Sequence, residues 1–472
     1  MLSAFVRLGL ICLSGVFYFA IALAEVGFGF DESEDVMEQG GCVADSMLYN
    51  LLEISLVPRV TASTVKESIQ YQFNPVVFHR HDGRQWEVLE KWSLPSLGRR
   101  VGANVTIPVI RSFNPLIWAF DATSEPTNFQ GVKQSCDIVD LPFRDFVEGI
   151  SSPTISSEES DLVEPNLHLH LNAPLEKLSK DLLADVQPYV ELFESCRAEL
   201  RVTMSTAGTT SALHYNIQRR VRVQVTGSTR ALLFPPEAAK ALYLFPHIHP
   251  HRSCSQLQTP PADLRRYPLA VKLREAGLVA QEVTLMQGEV LSIPPFWLTV
   301  LTNVDSGIAI DMQQPAAFQA AVDRLLHRTI PELPAAFTLD QTVAVGRHFL
   351  TTLLRSLRRK VPRLAQFAID GHHKQRYEPL MGSDSITLTT IKVKRHCKDP
   401  MTLESMPITS SNLMKLVRTA YDRLEQLAQM IKPFDAFEVV LGDYLDLVAL
   451  QSVQRHHVSV SAFFANCFSD LR

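Results

Sequence analysis

Short apolar runs separated by proline and glycine fill the chain between residues 57 and 315, and they restrict the fold more than any other feature. Examples are "PVVFH", "NVTIPVI", "LRVTM", "VRVQV" and "GIAIDM". Apolar and polar residues alternate in several of them, which is the period of a strand with one buried face. Many short strands between turn residues are typical of a β-sandwich or barrel rather than of a parallel sheet with crossover helices. We therefore predict a mainly β domain over residues 56–315.

Two segments inside this β region have a helical pattern, Pro142–Val147 and Pro174–Leu183. After Pro315 the helical period dominates. One helical face collects the apolar residues Leu413, Leu416, Val417, Ala420, Tyr421, Leu424, Leu427 and Ile431. Ser410 precedes this run and Pro433 follows it, as start and stop signals. Residues 316–472 are therefore predicted to form an all-α C-terminal domain.

A second helical run, from Val343 to Leu357, carries basic residues off its apolar face. We interpret these residues as a solvated helix face, and the alternative is a surface for a membrane or an acidic partner. The basic residues are Arg355, Arg358, Arg359 and Lys360.

The first 24 residues have the pattern of a secretory signal peptide. Arg7 precedes an uncharged apolar run, Leu8–Ala24, which ends in a small-x-small motif. We expect cleavage after Ala24 and a location in the endoplasmic reticulum or Golgi lumen or outside the cell. An uncleaved membrane anchor is the alternative, because about 20 apolar residues can span a bilayer. Residues 25–55 are predicted to be a flexible acidic lead-in.

Cysteine usage and charge restrict the function classes further. The chain has seven cysteines, and one of them, Cys12, lies in the presumed signal peptide. The other six could form disulfides in the secretory pathway, but their spacing selects no pairing. Asn104 begins an N-glycosylation sequon, "NVT". The net charge of −5, without a basic tail or face, gives no support for a nucleic-acid partner.

The segment Ser211–Arg220, "SALHYNIQRR", places a histidine and an asparagine two residues apart in a predicted strand. Side chains at i and i+2 of a strand point to one side, so His214 and Asn216 face the same space. Many metal sites use this spacing with an acid as the second residue, whereas here it is an amide. A metal site, the remains of one and an ordinary strand all fit this spacing.

Several motifs surround this segment in a fixed order. They are "TSALHYN" at 210–216, "QVTGSTR" at 224–230, "LFPP" at 233–236, "GEVLSIPPFW" at 288–297 and "SGIAIDM" at 306–312. This order resembles the JmjC and cupin-like branch of the Fe(II)/2-oxoglutarate oxygenases, in particular the asparaginyl hydroxylase group. The resemblance implies a double-stranded β-helix, which is a jelly-roll barrel, followed here by the all-α domain.

The resemblance also implies where iron ligands should be. Active members use a His-x-Asp/Glu pair and a distal histidine, which together leave three positions open on the metal. His214 matches the first ligand, and Asn216 stands where the carboxylate belongs. The distal histidine position falls on Thr299 if the motif is aligned without gaps and on Leu298 if one gap is allowed. An amide oxygen supplies only a dipole to a dication, and neither distal candidate is a histidine.

The cosubstrate pocket departs from the family pattern too. The lysine that usually binds 2-oxoglutarate is replaced by Thr229, so a dicarboxylate loses its charge-assisted partner. The resemblance places Ser211, Arg220 and Gln313 around the same pocket. In "QRRVRVQV", Arg220 and Arg222 share one strand face. We hypothesise a basic pocket that binds an acidic ligand without iron chemistry; in the alternative, these arginines lie at the barrel mouth, paired with acids or solvated.

The remaining histidines and Cys254 add little to these interpretations. His247, His249 and His251 in "PHIHPH" are expected to lie in solvent, and Cys254 is expected to be buried or disulfide-bonded rather than reactive. His168 and His170 in "LHLHL" are expected at the surface or at the pocket.

Three functions fit the sequence. We favour a secretory-pathway protein with impaired or no catalysis that binds an acidic small molecule or a protein partner, and the resemblance implies a homodimer through the C-terminal helices. The second is an active protein hydroxylase that binds Fe(II) and 2-oxoglutarate through a non-standard site, with Thr299 or a histidine of "HIHPH" as a ligand. The third is another ligand-binding or enzymatic role of the barrel.

Overall fold

A computed structural model describes residues 48–61, 73–79, 87–102, 105–118, 136–151, 167–192, 199–258, 264–327, 333–382, 397 and 408–468. The predicted signal peptide, Asn104 of the sequon and most of the predicted acidic lead-in lie outside these ranges. Within the described ranges, no helix is both long enough and apolar enough to cross a membrane.

Strands dominate the described part of the chain up to residue 314. They are β1 (Glu53–Leu56), β2 (Arg59–Thr61), β3 (Val76–His79), β4 (Thr106–Ser112), β5 (Leu116–Ile117), β6 (Asp137–Pro142), β7 (His168–Pro174), β8 (Glu199–Ser205), β9 (Thr210–Ser211), β10 (Arg219–Thr226), β11 (Thr229–Phe234), β12 (Val279–Leu285), β13 (Val290–Ile293), β14 (Leu298–Asn303) and β15 (Gly307–Gln314). One sheet has the order β1-β12-β11-β14-β9-β5, and the other has the order β2-β3-β13-β10-β15-β8-β7-β4-β6. We call them the six-stranded and the nine-stranded sheet.

Helices flank the strands and then follow them. They are α1 (Glu87–Lys91), α2 (Leu94–Val101), α3 (Phe143–Ser151), α4 (Leu175–Leu178), α5 (Lys180–Leu192), α6 (Pro268–Val271), α7 (Gln319–His327), α8 (Leu339–Lys360), α9 (Ile369–Arg376), α10 (Ser410–Met430), α11 (Phe434–Val453) and α12 (Val460–Cys467). The predicted helical runs are confirmed by α3, α4, α5, α8 and α10. Side-chain caps begin the two long helices, with Thr338 before α8 and Thr409 before α10.

The alternation along β10 assigns its two faces. Val221, Val223 and Val225 are fully buried in a core that also contains residues of α3, α4 and α5. The intervening residues Arg220 and Arg222 point to the other side, into the space between the two sheets. Part of that space is filled by an apolar cluster drawn from both sheets. The fold is thus a jelly-roll barrel with an apolar part and a polar part inside, which confirms the predicted fold class.

The C-terminal helices pack directly on the six-stranded sheet. Phe234 of β11 and Leu298 of β14 share one hydrophobic core with residues of α8, α10, α11 and α12. A disulfide joins Cys397 to Cys467 at the end of α12. The same core includes Leu48, Leu51 and Leu52, and β1 pairs in parallel with β12. The sheet therefore begins before residue 56, within the segment that the sequence analysis placed in the lead-in.

Candidate functional site

His214 and Thr299 lie directly opposite each other on neighbouring backbone segments. The His214 amide donates to the Thr299 carbonyl at 3.2 Å, and the Thr299 amide donates back to the His214 carbonyl at 2.8 Å. Residues that exchange two such bonds have side chains on the same face of the sheet. Leu298 instead belongs to the core on the opposite face. Of the two aligned positions for a distal ligand, the register thus places Thr299 beside His214.

The imidazole of His214 is held as a neutral ring. Its Nδ1 donates to the Ala212 carbonyl at 2.7 Å, which leaves Nε2 with a lone pair. Burial, followed by the positive charge of Arg220, lowers the pKa of His214 to about 4. Asn216 lines the same cavity as His214, and its carbonyl accepts from the Phe296 amide at 2.8 Å. The three aligned ligand positions therefore offer one imidazole, one amide and one hydroxyl.

A polar cavity of about 320 Å³ lies between the sheets next to these residues. Its lining is largely polar and comes from both sheets: Ile110, Ile117, His170, Asn172, Arg201, Thr203, Thr209, Thr210, Ser211, His214, Asn216, Arg220, Arg222, Leu301, Asn303, Asp311 and Gln313. Among these described lining residues, Asp311 is the only acid. Elsewhere in the described ranges, too, no three His, Cys, Asp or Glu side chains are grouped as a metal site.

Both carboxylate oxygens of Asp311 accept hydrogen bonds from neighbouring side chains. Arg220 Nε donates to Oδ1 at 2.9 Å, and Arg222 Nη1 donates to Oδ2 at 2.9 Å. The Thr203 hydroxyl adds a hydrogen bond to Oδ2 at 2.6 Å. Burial acts to raise the pKa of Asp311, but the two guanidinium groups and these hydrogen bonds hold it well below its usual range. Asp311 is thus held as an anion, and an arginine already donates to each of its two oxygens.

The four predicted cosubstrate residues are not all at the cavity. Ser211, Arg220 and Gln313 line it, and the Ser211 Oγ accepts from the Leu301 amide at 2.9 Å. Thr229 is fully buried and lies outside the lining. Its hydroxyl donates to Asn303 Oδ1 at 3.3 Å, so it reaches the cavity only through that amide.

Asp311 is a site residue that the sequence analysis missed, whereas His170 lies at the pocket, which is one of the two positions expected for it. Asp311 interrupts the apolar run "GIAIDM", and the strand alternation places it on the face opposite Ile308, Ile310 and Met312. That signal was available in the sequence. The Nδ1 atom of His170 forms a hydrogen bond with the Ser205 hydroxyl at 2.7 Å. Burial, followed by the charge of Arg222, lowers its pKa to about 4, so this ring is neutral too.

The prediction that the "PHIHPH" histidines lie in solvent is wrong. His249 and His251 are 3% and 9% exposed and pack against Phe245. His247 lies beside Asp443 of α11, with its Nδ1 at 3.5 Å from the carboxylate. His251 also packs against Trp118, with 4.8 Å between the ring centroids. Nearby, burial raises the pKa of Cys254 to about 12, which fits the expected unreactive thiol.

A buried ionic cluster connects the C-terminal helices to the strand of the candidate site. Tyr215, between His214 and Asn216 in sequence, donates its hydroxyl hydrogen to Asp443 at 3.0 Å. Arg376 of α9 binds Asp443 at 2.6 Å and Asp446 at 3.0 Å. We call Tyr215, His372, Arg376, Tyr377, Asp443 and Asp446 the interdomain cluster. Through Tyr215 this cluster holds the backbone segment that carries the aligned ligand positions.

Taken together, the sheets and the cavity define a jelly-roll protein with a polar barrel interior. A family profile described as a cupin-like domain matches residues 62–312, more than half of the chain. The chain therefore belongs to the cupin-like domain family, within the JmjC/cupin-like superfamily.

Curated relatives agree with this assignment. The chain is 23% identical over 278 residues to "Lysine-specific demethylase JMJ31" of Arabidopsis thaliana, which covers 53% of this chain and 48% of that protein. It is 30% identical over 109 residues to human "tRNA wybutosine-synthesizing protein 5", which covers 23% and 31%, and 28% identical over 155 residues to the mouse protein, which covers 28% and 46%. The chain spans less than half the length of each of these relatives.

Proposed function

We propose that this chain is a binding protein built on a cupin-like barrel, and that it does not carry out Fe(II)/2-oxoglutarate turnover. The observation that carries the proposal is the set of donors at the aligned ligand positions: His214, Asn216 and Thr299. One neutral imidazole is a good iron ligand, whereas a neutral amide and a hydroxyl are weak ones. Disturbing even an outer-shell partner commonly costs about 10–100-fold in metal affinity, so replacing two direct ligands costs more.

The described residues around these three positions do not supply the missing iron ligands. Asp311 is the nearest acid of the cavity, but both of its oxygens are already bound by arginines. The histidines of the "HIHPH" loop do not line the cavity. The residues present therefore do not fit a resident iron.

The cosubstrate half of the pocket supports the same proposal. At the position of the usual lysine, Thr229 is buried against Asn303 rather than exposed to the cavity. The relatives are named as a lysine-specific demethylase and as tRNA wybutosine-synthesizing proteins. An equivalent reaction in this chain would need ligands that its aligned positions lack, so we do not extend those activities to it.

We also propose that the protein enters the secretory pathway. The N-terminal pattern Arg7, apolar run and Ala22-Leu23-Ala24 supports this location. The Cys397–Cys467 disulfide supports it as well, because disulfides persist mainly in oxidising compartments. Expression with the native N-terminus in a eukaryotic cell should give a mature chain that begins at Glu25 and loses mass at Asn104 after peptide-N-glycosidase treatment. A cytosolic chain that keeps Met1 would contradict the proposal.

Metal analysis and a turnover assay test the absence of catalysis. The chain is loaded with Fe(II) under anaerobic conditions, freed of excess metal and assayed for iron content and for succinate formed from 2-oxoglutarate. We expect substoichiometric iron and no succinate above the level of His214→Ala, the variant without its one good ligand. Stoichiometric iron with succinate release that His214→Ala abolishes would overturn the proposal.

A further inference from the structure

The cavity between the sheets carries one uncompensated positive charge. Arg220 and Arg222 share the single carboxylate of Asp311, so two cations oppose one anion. Arg201 also lines the cavity, but it is paired with Glu199 at 2.6 Å. The net charge of the cavity is therefore about one positive unit.

The two arginines have donors left over. Arg222 is 2% exposed, and its buried Nε has no hydrogen-bond partner among the described residues. Arg220 donates to Asp311 through Nε, and its two Nη groups take no part in that hydrogen bond. A buried guanidinium donor without an acceptor is costly, since protein interiors satisfy almost all such groups. The planar fork of a guanidinium matches a carboxylate in two parallel hydrogen bonds.

Hydroxyl and amide groups occupy the rest of the polar wall. Thr209, Thr210 and Ser211 contribute hydroxyls, and Asn172 and Asn303 contribute amides. Such groups are suited to the hydroxyls of a small polar molecule. The volume of about 320 Å³ lies at the lower end of the range of ligand pockets, which suits a compound of a few carbons and excludes a polymer inside the barrel.

We propose that the barrel cavity binds a small hydroxylated monocarboxylate, whose carboxylate is held by Arg220 and Arg222. The single net charge favours one carboxylate over none or two. This inference rests on the proposed binding function and gives its ligand a chemical class. We call Arg220 and Arg222 of β10 and Asp311 of β15 the carboxylate seat. It does not use the lysine position that Thr229 occupies.

Three compounds with the same six-carbon chain test the charge requirement: sorbitol, gluconate and glucarate carry zero, one and two carboxylates. Binding to the purified chain is measured by calorimetry in buffer that contains EDTA, so that bound metal plays no part. We expect gluconate to bind at least about tenfold more tightly than sorbitol, since a hydrogen bond to a charged group contributes more than a neutral one. We expect glucarate to bind more weakly than gluconate.

Variants of the seat give the matched comparison. Arg220→Gln leaves Asp311 paired with Arg222 and removes the net charge, so gluconate should lose its advantage over sorbitol. Arg219→Gln changes the neighbouring residue on the other strand face and should leave gluconate affinity unchanged. Asp311→Asn raises the net charge to two, and glucarate should then bind more tightly than gluconate.

The outcomes separate this inference from the proposed function. Gluconate binding no tighter than sorbitol binding, or unchanged in folded Arg220→Gln, would overturn the carboxylate seat. Succinate release in the iron assay would overturn the proposed function and leave the calorimetry in EDTA unaffected. If Asp311→Asn fails to fold by circular dichroism, the comparison of Arg220→Gln with Arg219→Gln decides alone.

Discussion

Replacement of Arg376 by methionine should destabilise the protein strongly, because it removes the cation of the interdomain cluster. Arg376 is 6% exposed, and it donates to Asp443 and Asp446 and to the carbonyl of Val439 at 3.3 Å. The two carboxylates are 3% and 0% exposed. After the replacement they would keep only neutral or titratable partners, such as Tyr215. Breaking a buried pair in this way costs about 3–5 kcal/mol of the free energy of unfolding.

Urea unfolding at pH 7 measures this loss, and the same helix supplies the control. Lys374, two residues away, forms an exposed pair with Asp370 at 2.9 Å. Lys374→Met should therefore change the free energy of unfolding by less than about 0.5 kcal/mol. A loss below about 1 kcal/mol for Arg376→Met would refute the reasoning, because it would mean that water replaces the guanidinium at both carboxylates.

The stability lost in Arg376→Met should depend on pH in a defined direction. Burial acts to raise the pKa of Asp443, but Arg376 and His247 hold it well below its ordinary value, and the pKa of Asp446 is lowered mainly by His372. Groups with a depressed pKa add stability above their unfolded pKa, about 3.9, and that stability is lost as the pH falls through the folded value. The difference between wild type and Arg376→Met should thus shrink as the pH falls toward and through about 4. A difference that grows in acid would contradict the assignment.

Replacements at two glycines test the packing, and replacements at Asn216 and Thr299 test the site. An alanine Cβ at Gly346 would clash with the Ser452 side chain, so Gly346→Ala should destabilise the chain by about 1–3 kcal/mol in urea unfolding. An alanine Cβ at Gly371 meets no atom of the described residues within 4 Å, so Gly371→Ala should instead stabilise the chain by about 0.5–1 kcal/mol. Restoring the ligands with Asn216→Asp and Thr299→His should create an Fe(II) site measurable by competition with a chelator. Iron affinity equal to that of wild type would contradict the placement of these residues on one face.

The parts of the fold that depend on local pattern could be predicted from the sequence. The 3.6-residue period of α8 and α10 needs only the order of apolar residues. The opposite faces of β10 follow from its alternation, which places Arg220 inside and Val221 in the outer core. The motifs indicated the jelly-roll barrel through their resemblance to the JmjC and cupin-like branch.

The parts that depend on which segments become neighbours could not be predicted in the same way. The choice between Thr299 and Leu298 needed the cross-strand register with His214. The pairing of both arginines with Asp311 needed the position of β15 beside β10, some 90 residues away in sequence. The position of His247 beside Asp443 needed α11, which the loop sequence alone does not supply. Long-range packing decided each of these outcomes.

The cavity charge and the altered ligand positions belong to one electrostatic arrangement. Burial, followed by the positive charge of Arg220, lowers the pKa of His214, so this charge acts on the one good ligand. A cavity with one net positive unit attracts a carboxylate and repels a dication at the same place. Adding Arg220→Gln to the variant with both restored ligands should therefore tighten Fe(II) binding severalfold, whereas adding Arg219→Gln should not. If the two additions have equal effects on the chelator competition, the loss of iron ligands and the gain of the carboxylate seat are independent features of the barrel.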